Sequence, residues 1–158
     1  TLSPYTTTVL SHNNSTGKNI AYMNMVAERN RLMTHEGIEL KPYRCTSDKL
    51  TIGVGRNIED RGISMETAMQ MLDEDIDIVM DELQKAVPGW EDMPSNFREA
   101  LVDLAFNMGV PRLMQFKRML ASLAAGDGHN GAVELLESRY ANQVGKRAHN
   151  IAALLRAS

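Results

Sequence analysis

The sequence predicts a two-lobe α+β protein, in which a small mixed lobe with a short antiparallel sheet is joined by a long helix to an all-helical lobe. Three observations favour this class. The 158 residues allow one domain or two lobes that share a helix, and a hydrophobic content of 43% can form a core. Aromatic residues make up only 5% of the chain beside 11 methionines, which favours helices packed through aliphatic side chains. Extended, glycine-punctuated segments cluster near residues 38–58, whereas helical periodicity dominates beyond them.

The first part of the chain changes character twice. Residues 1–19 are rich in Thr, Ser and Asn without a helical period, which predicts a flexible arm or linker before a single domain at 20–158. A helix is predicted from Ile20 to about His35, ending at Gly37. Residues 38–58 then offer short extended pieces around a turn at 46–48, which predicts a small antiparallel sheet.

The clearest helix is predicted at about 64–87. Ser64 is its expected N-cap, and Pro88-Gly89 ends it. Its apolar residues recur at i, i+3, i+4 and i+7, and most of its carboxylates fall off that stripe. More than twenty residues at ~1.5 Å each span roughly 30 Å, which is long enough to join two lobes.

Shorter helices are predicted to complete the helical lobe at about 94–156, with the small lobe at about 36–63. Ser95 is the expected N-cap of the first of these helices, and Gly109 is expected to end it. Pro111 precedes the second helix and Gly126 follows it. The predicted helices are Asn96–Met108, Arg112–Ala125, Ala132 to about Asn142, and about Lys146 to Arg156. This organisation predicts a cleft between the two lobes.

Charge and cysteine content exclude several classes of protein. The net charge is −3, and residues 59–92 alone hold 11 acidic and two basic residues, so we expect no nucleic-acid partner. No window has the roughly 18 to 20 apolar residues of a membrane span, and no signal-like start is visible, so we expect no stable membrane insertion. A single cysteine excludes an intramolecular disulfide and a thiolate zinc cluster.

No pattern supports a metal ion or a cofactor. Asp73, Asp75 and Asp77 imitate the first ligands of a calcium loop, but Ile78 stands where that loop needs Gly and Gln84 where it needs a bidentate Glu. The histidines are scattered and lack companions with metal-ligand spacing. We therefore expect neither a metal nor a cofactor.

One cluster of unlike residues remains in the small lobe. Glu36 is followed after eight residues by Cys45, and Cys45 after five residues by Thr51, in the run HEGIELKPYRCTSDKLTIGVG. This run closely resembles the phage-type lysozymes, the endolysins of glycoside hydrolase family 24. Their signature is Glu, eight residues, Asp or Cys, five residues and Thr, followed by Ile-Gly-x-Gly. The resemblance extends in order over residues about 30–156.

The resemblance implies a lysozyme-like fold and an enzyme that cleaves the β-1,4 bond between N-acetylmuramic acid and N-acetylglucosamine in bacterial peptidoglycan. Glu36 would protonate the leaving oxygen, and Cys45 in the Asp role would hold the attacking water with Thr51 in an inverting reaction. A thiol is a poorer anion than a carboxylate at neutral pH, so something must lower the Cys45 pKa, and Arg44 is a candidate. Attack by the thiolate on the sugar is the alternative chemistry. The family also implies a monomer that needs no metal and stays in the host cytoplasm until lysis.

The same resemblance suggests supporting and substrate-binding residues. Arg147 would return to pair with Glu36, and Arg56 would pair with Asp75 in a structural ion pair. Alignment to cleft-lining positions suggests that four further residues contact the glycan, namely Asn57, Phe106, Asn107 and Glu134. For Phe106, burial in the core is the favoured alternative.

Two rival functions remain open. A lytic transglycosylase uses one catalytic Glu without a positioned water, and the Cys-Thr pair argues against it. A wall-binding or tail-structural module with a decayed site is the alternative outside enzymes. Each of the three residues also has a non-catalytic explanation when it is considered alone. Glu36 would be a surface residue, Cys45 a small buried hydrophobic residue, and Thr51 a typical strand residue.

Overall fold

The computed structural model describes residues 24–157, which confirm the predicted α+β class. They fall into two compact units that divide between Ser64 and Met65. The predicted arm at residues 1–19 lies outside the described residues.

In the first unit, α1 spans Met25–Glu36. The Asn24 side chain caps it by accepting a hydrogen bond from the backbone N–H of Ala27 at 3.0 Å. The predicted start at Ile20 lies outside the described residues. Its end is as predicted. Gly37 adopts a positive φ of 74°, and its N–H bonds back to the Met33 carbonyl, which turns the chain away from the helix axis.

The predicted antiparallel sheet is present, with three strands in the order β1-β2-β3. Its strands are β1 Glu39–Arg44, β2 Leu50–Gly53 and β3 Arg56–Asn57. Between Glu39 and Tyr43 the register of the β1–β2 pair shifts. Pro42 lies in this irregular stretch of an edge strand, where its missing N–H is tolerated.

A short helix that the sequence analysis did not predict follows the sheet directly. This helix, α2, spans Ile58–Arg61 and is capped by Asn57, whose Oδ1 accepts from the Asp60 N–H at 3.0 Å. Of residues 24–64, only Thr51 is buried. Hydrogen bonds and ion pairs therefore contribute much of what orders this part of the chain.

The second unit is helical and begins with the predicted long helix, α3, at Met65–Ala86. A 3-10 turn at Trp90–Asp92 leads into six further helices. They are α4 Ser95–Met108, α5 Val110–Leu113, α6 Lys117–Ala124, α7 Gly128–Leu136, α8 Arg139–Val144 and α9 Lys146–Arg156. Their apolar faces form a continuous core in which Leu101, Leu104 and Leu135 have no exposed surface.

Three local predictions in this unit were wrong. Ser95 lies inside α4 instead of capping it, because the N-cap is Pro94 and no side chain caps there. The helix predicted from Arg112 to Ala125 is two helices, α5 and α6, separated by residues 114–116. The helix predicted from Ala132 to Asn142 is likewise divided into α7 and α8, because the Ser138 side chain caps a new helix by accepting from the Ala141 N–H at 3.3 Å.

No helix within residues 24–157 has the length and apolar character required to cross a membrane.

Candidate active site

Glu36 is the last residue of α1, and its carboxylate lies against the turn between β2 and β3. A Cβ placed on Gly55 in that turn would lie 3.0 Å from Glu36 Oε2 and 3.4 Å from its Cδ. Gly55 also adopts a positive φ of 64°, which other residues rarely tolerate. The carboxylate can occupy this position because the facing residue has no side chain.

Cys45 and Thr51 are brought together by the β1–β2 register. Tyr43 pairs with Thr51 and Arg44 with Leu50, and the Cys45 N–H continues the ladder by donating to the Lys49 carbonyl at 3.0 Å. Because alternate residues of a strand face the same way, Cys45 shares the face of Tyr43 and is a diagonal neighbour of Thr51. Cys45 is partly buried, whereas Thr51 is only 3% exposed.

Hydrogen bonding makes the Cys45 thiol more acidic than usual. The backbone amide of Lys49 has the largest effect in lowering the pKa of Cys45, followed by the backbone amide of Ser47 and the Thr51 hydroxyl. The expectation that Arg44 lowers this pKa was wrong, because its guanidinium pairs elsewhere, with Glu59 at 3.1 Å. The thiol therefore has an environment that favours its anion.

The Thr51 hydroxyl is held in place by the same turn. Its Oγ1 donates to the Lys49 carbonyl at 2.9 Å. A hydroxyl has one proton and can rotate, so it donates either to this carbonyl or to the Cys45 thiolate, while its lone pairs can accept from a water. Thr51 and Cys45 together offer groups that can hold a small polar molecule on this face of the sheet.

Arg56 and Asn57 form β3, and Asn57 pairs with Thr51 across the β2–β3 ladder. Arg56 Nε donates to the Gly62 carbonyl at 2.9 Å. The Asn57 amide is engaged with α2 at both ends, since Oδ1 accepts from the Asp60 backbone and Nδ2 donates to Asp60 Oδ2 at 2.9 Å. The pairing of Arg56 with Asp75, which belongs to α3, stays a prediction.

In the second unit, Arg147 of α9 is paired with Asp103 of α4. Its Nε donates to Asp103 Oδ1 at 2.8 Å, and its Nη2 contacts the same oxygen at 2.7 Å and donates to the Asp103 carbonyl at 3.1 Å. Arg147 and Asp103 line a groove of about 480 Å³, and Phe106 lines the same groove. Phe106 is 45% exposed, so the alternative that it is buried in the core was wrong. Pairing of Arg147 with Glu36 stays a prediction.

Asn107 and Glu134 lie elsewhere on the helical unit. Asn107 Oδ1 accepts from the Tyr140 hydroxyl at 2.9 Å, and burial raises the pKa of Tyr140. Glu134 lines a cavity of about 340 Å³ with Glu137 and Ser138. No group of three or more His, Cys, Asp or Glu side chains within residues 24–157 is arranged to hold a metal ion.

The structure adds two residues that sequence analysis missed. Gly55 was noted only as part of a glycine pattern, although that pattern before a short polar strand could have indicated a close approach. Nothing in the sequence pattern singled out Lys49, because its ion pairs are formed with Glu59 and Asp60, ten and eleven positions later. Both lie beside the three residues that the spacing singled out.

This arrangement of a small sheet unit and a helical unit is the α+β lysozyme-like fold. The family model for phage lysozyme matches residues 33–156, and the chain belongs to that family. Membership implies an endolysin-type glycoside hydrolase that hydrolyses peptidoglycan. No curated protein sequence matches the chain significantly.

Proposed function

We propose that the protein is an N-acetylmuramidase that cleaves the β-1,4 bond between N-acetylmuramic acid and N-acetylglucosamine. The observation that supports this proposal most directly is the local geometry of the first unit. It holds one carboxylate against a glycine turn, and a thiol and a hydroxyl on one face of the adjoining ladder. Glycoside hydrolysis needs a proton donor and a second group that manages water, and these residues supply both.

In the proposed reaction Glu36 protonates the glycosidic oxygen while the bond to the anomeric carbon breaks. Water attacks the opposite face of the sugar, and Cys45 accepts its proton while Thr51 holds its oxygen. The lowered pKa of Cys45 favours this role because a thiolate accepts a proton and a thiol does not. The product therefore has the inverted anomeric configuration.

The remaining predicted residues have proposed parts in binding and support. Arg147, oriented by Asp103, pairs with Glu36, and Arg56 pairs with Asp75. The glycan contacts Asn57, Phe106, Asn107 and Glu134 through side chains at the protein surface. Since Asn107 Oδ1 already accepts from Tyr140, its amide nitrogen is the group it offers to a sugar. The protein acts without metal or cofactor, as a monomer that remains in the host cytoplasm until lysis.

The product ends of digested peptidoglycan test this proposal. Purified protein is incubated with insoluble peptidoglycan, and the soluble fragments are reduced with borohydride and analysed by mass spectrometry. A muramidase produces reduced N-acetylmuramic acid ends. Reduced N-acetylglucosamine ends contradict the assigned bond, and anhydro-muramic ends indicate a lytic transglycosylase.

The anomer formed first separates the two roles of Cys45. NMR of a short soluble glycan during digestion is expected to show the α-anomer before mutarotation, because a single displacement by water inverts the centre. A β-anomer would instead indicate two displacements, as expected for attack by the thiolate. Binding to walls without any released fragment would favour a wall-binding module.

A further inference from the structure

The turn at residues 45–49 joins the two residues proposed to hold the water. Within it, one carbonyl has two partners. The Lys49 oxygen accepts from the Cys45 N–H at 3.0 Å and from the Thr51 hydroxyl at 2.9 Å. The Lys49 backbone therefore contacts the main chain of the thiol residue and the side chain of the hydroxyl residue.

The Lys49 side chain is held from outside the turn by helix α2. Its Nζ lies 3.1 Å from Asp60 Oδ1 and 3.3 Å from Glu59 Oε2. Its hydrogen bond to Asp60 has the largest effect in raising the pKa of Lys49, and its hydrogen bond to Glu59 has the next largest. The side chain therefore remains a cation between two carboxylates. The cation thereby ties the turn to an element that is itself anchored to β3 through Asn57.

Arg44 holds the same helix from the other end of the turn. Its Nη1 lies 3.1 Å from Glu59 Oε1 and donates to the Asp48 carbonyl at 3.1 Å. Asp48 has a positive φ of 57°, the only such value among the non-glycine residues within 24–157. A left-handed residue of this kind persists where its surroundings hold it, and here Arg44, itself paired with Glu59, holds the Asp48 carbonyl.

We propose that Lys49 is a positioning residue, whose attachment to Glu59 and Asp60 fixes the backbone that orients Cys45 and Thr51 for the attacking water. This inference rests on the proposed function. Exposed ion pairs contribute little to global stability, and Lys49 is 41% exposed. Its effect is therefore expected in the local geometry of the turn and not in whether the protein folds.

The chain offers a direct reporter of that geometry, because Cys45 is its only cysteine. The rate of alkylation by iodoacetamide against pH gives the thiol pKa of the full-length protein, with the urea-unfolded protein as reference. The initial rate on soluble peptidoglycan fragments gives kcat and KM separately. Lys49→Met removes both contacts with α2, Lys49→Arg keeps a cation, and Lys85→Met breaks a similar exposed pair, with Asp81, in α3.

Lys49→Met is expected to raise the thiol pKa toward that of the unfolded protein and to lower kcat about 10-fold, because a displaced water no longer meets the sugar carbon correctly. KM is expected to stay near that of the unaltered protein. Lys49→Arg is expected to keep the thiol pKa and kcat close to those of the unaltered protein. Lys85→Met is expected to change neither the thiol pKa nor kcat. A Lys49→Met protein whose thiol titration and kcat match those of the unaltered protein overturns the proposal.

Glu59→Met separates positioning from simple charge effects. Removing a nearby negative charge would by itself lower the thiol pKa, because it favours the thiolate. Loss of the shared anchor is expected to raise the thiol pKa and to lower kcat. A lower thiol pKa with full kcat therefore contradicts the positioning role, and this test stands even if Lys49→Met fails to fold.

Failure of the proposed function is distinguishable from failure of this inference. If Cys45→Ala digests peptidoglycan at the normal rate, the proposed catalytic role is wrong. The alkylation profile of Lys49→Met still decides whether Lys49 orders the turn, because that measurement does not depend on activity.

Discussion

Glu36 depends on a neighbour that has no side chain. The Cβ of any other residue at position 55 would lie 3.0 Å from Oε2 of the Glu36 carboxylate. A contact this close displaces the carboxylate by a few tenths of an ångström, and an acid that protonates a leaving oxygen must lie within hydrogen-bonding reach of it. Gly55 is therefore part of what positions the proposed acid.

Gly55→Ala is expected to lower kcat about 10-fold or more by displacing the Glu36 carboxylate. Gly53→Ala is the matched control. Gly53, the last residue of β2, has a similar positive φ of 70°, but a Cβ there meets nothing within 4 Å. Both variants have the strain of a left-handed alanine, so a comparable loss of activity in both would contradict the account, whereas a loss confined to Gly55→Ala supports it.

The pKa of the side chain at position 45 is expected to set the pH at which kcat rises. In the unaltered protein the thiolate forms as pH rises through a thiol pKa that is depressed below its usual value. Cys45→Asp is ionised across the neutral range, since a free Asp has a pKa near ~3.9. The rising limb of kcat against pH is thus expected below ~8.5 in the unaltered protein and at more acidic pH in Cys45→Asp.

Cys45→Ala completes this series. It is expected to lose about 100-fold or more in kcat, because no group remains to accept the proton of the water. Normal lysis by the alanine variant, or a rising limb in Cys45→Asp that coincides with that of the unaltered protein, would show that the thiol does not titrate in the reaction.

At the scale of single residues, the sequence indicates candidate site residues but does not show which side chains they contact. The spacing of Glu36, Cys45 and Thr51 was readable because it is a linear pattern. The assignment of Arg44 to the thiol failed because sequence adjacency does not show that a long side chain on a strand turns toward α2 instead. Asn57 was read only as a glycan contact, although Asn followed three residues later by Asp indicates a helix cap.

Among the elements, helices with strong local signals were predicted correctly and those without them were not. α3 has an apolar stripe along its full length and Pro88-Gly89 after it, and its observed bounds agree with the prediction. The break between α5 and α6 falls at Met114-Gln115-Phe116, where no Gly or Pro signals it. Leu113 before the break and Met119 after it are both buried in the core, and such burial is not visible in a local pattern.

Close helix packing also explains why two glycines occur in α7. A Cβ on Gly128 would lie 2.0 Å from the Leu155 carbonyl oxygen and 2.6 Å from Phe97 Cε1. Gly128→Ala is therefore expected to lower the free energy of unfolding by about 2 kcal/mol or more, as measured by urea denaturation.

Gly131→Ala is the control for helix α7. Its Cβ would meet the far end of the Leu123 side chain at 2.7 Å, and this side chain can move. The expected loss is smaller than for Gly128→Ala, because alanine also favours the helix by about 1 kcal/mol. Equal losses, or none at Gly128, would show that the backbone of α9 does not approach α7 as described.

On the scale of the whole chain, the two units are stabilised differently. The buried hydrophobic core lies in the second unit, whereas residues 24–64 rely on the sheet, on caps and on the ion pairs around α2. The sequence predicted a mixed segment followed by a helical one from the change in periodicity alone. It did not predict the ion pairs, because their partners are separated by turns whose geometry sets the contacts.

Leu101→Ala tests where global stability resides. Leu101 has no exposed surface, and its truncation is expected to cost about 2–5 kcal/mol in urea denaturation. Leu40→Ala in β1 is the control, because Leu40 is 84% exposed and its loss is expected to change stability by no more than about 0.5 kcal/mol. Similar effects of the two changes would contradict a core confined to the helical unit.

The central claim is that Glu36 is the proton donor for cleavage of peptidoglycan, and Glu36→Gln tests it most directly. The substitution keeps the shape of the side chain at the surface of α1 and removes the acid. Release of reduced N-acetylmuramic acid ends from peptidoglycan, followed by mass spectrometry, is expected to fall to background while the thermal unfolding midpoint stays unchanged. Fragments with the same ends, released at the rate of the unaltered protein, would contradict the account.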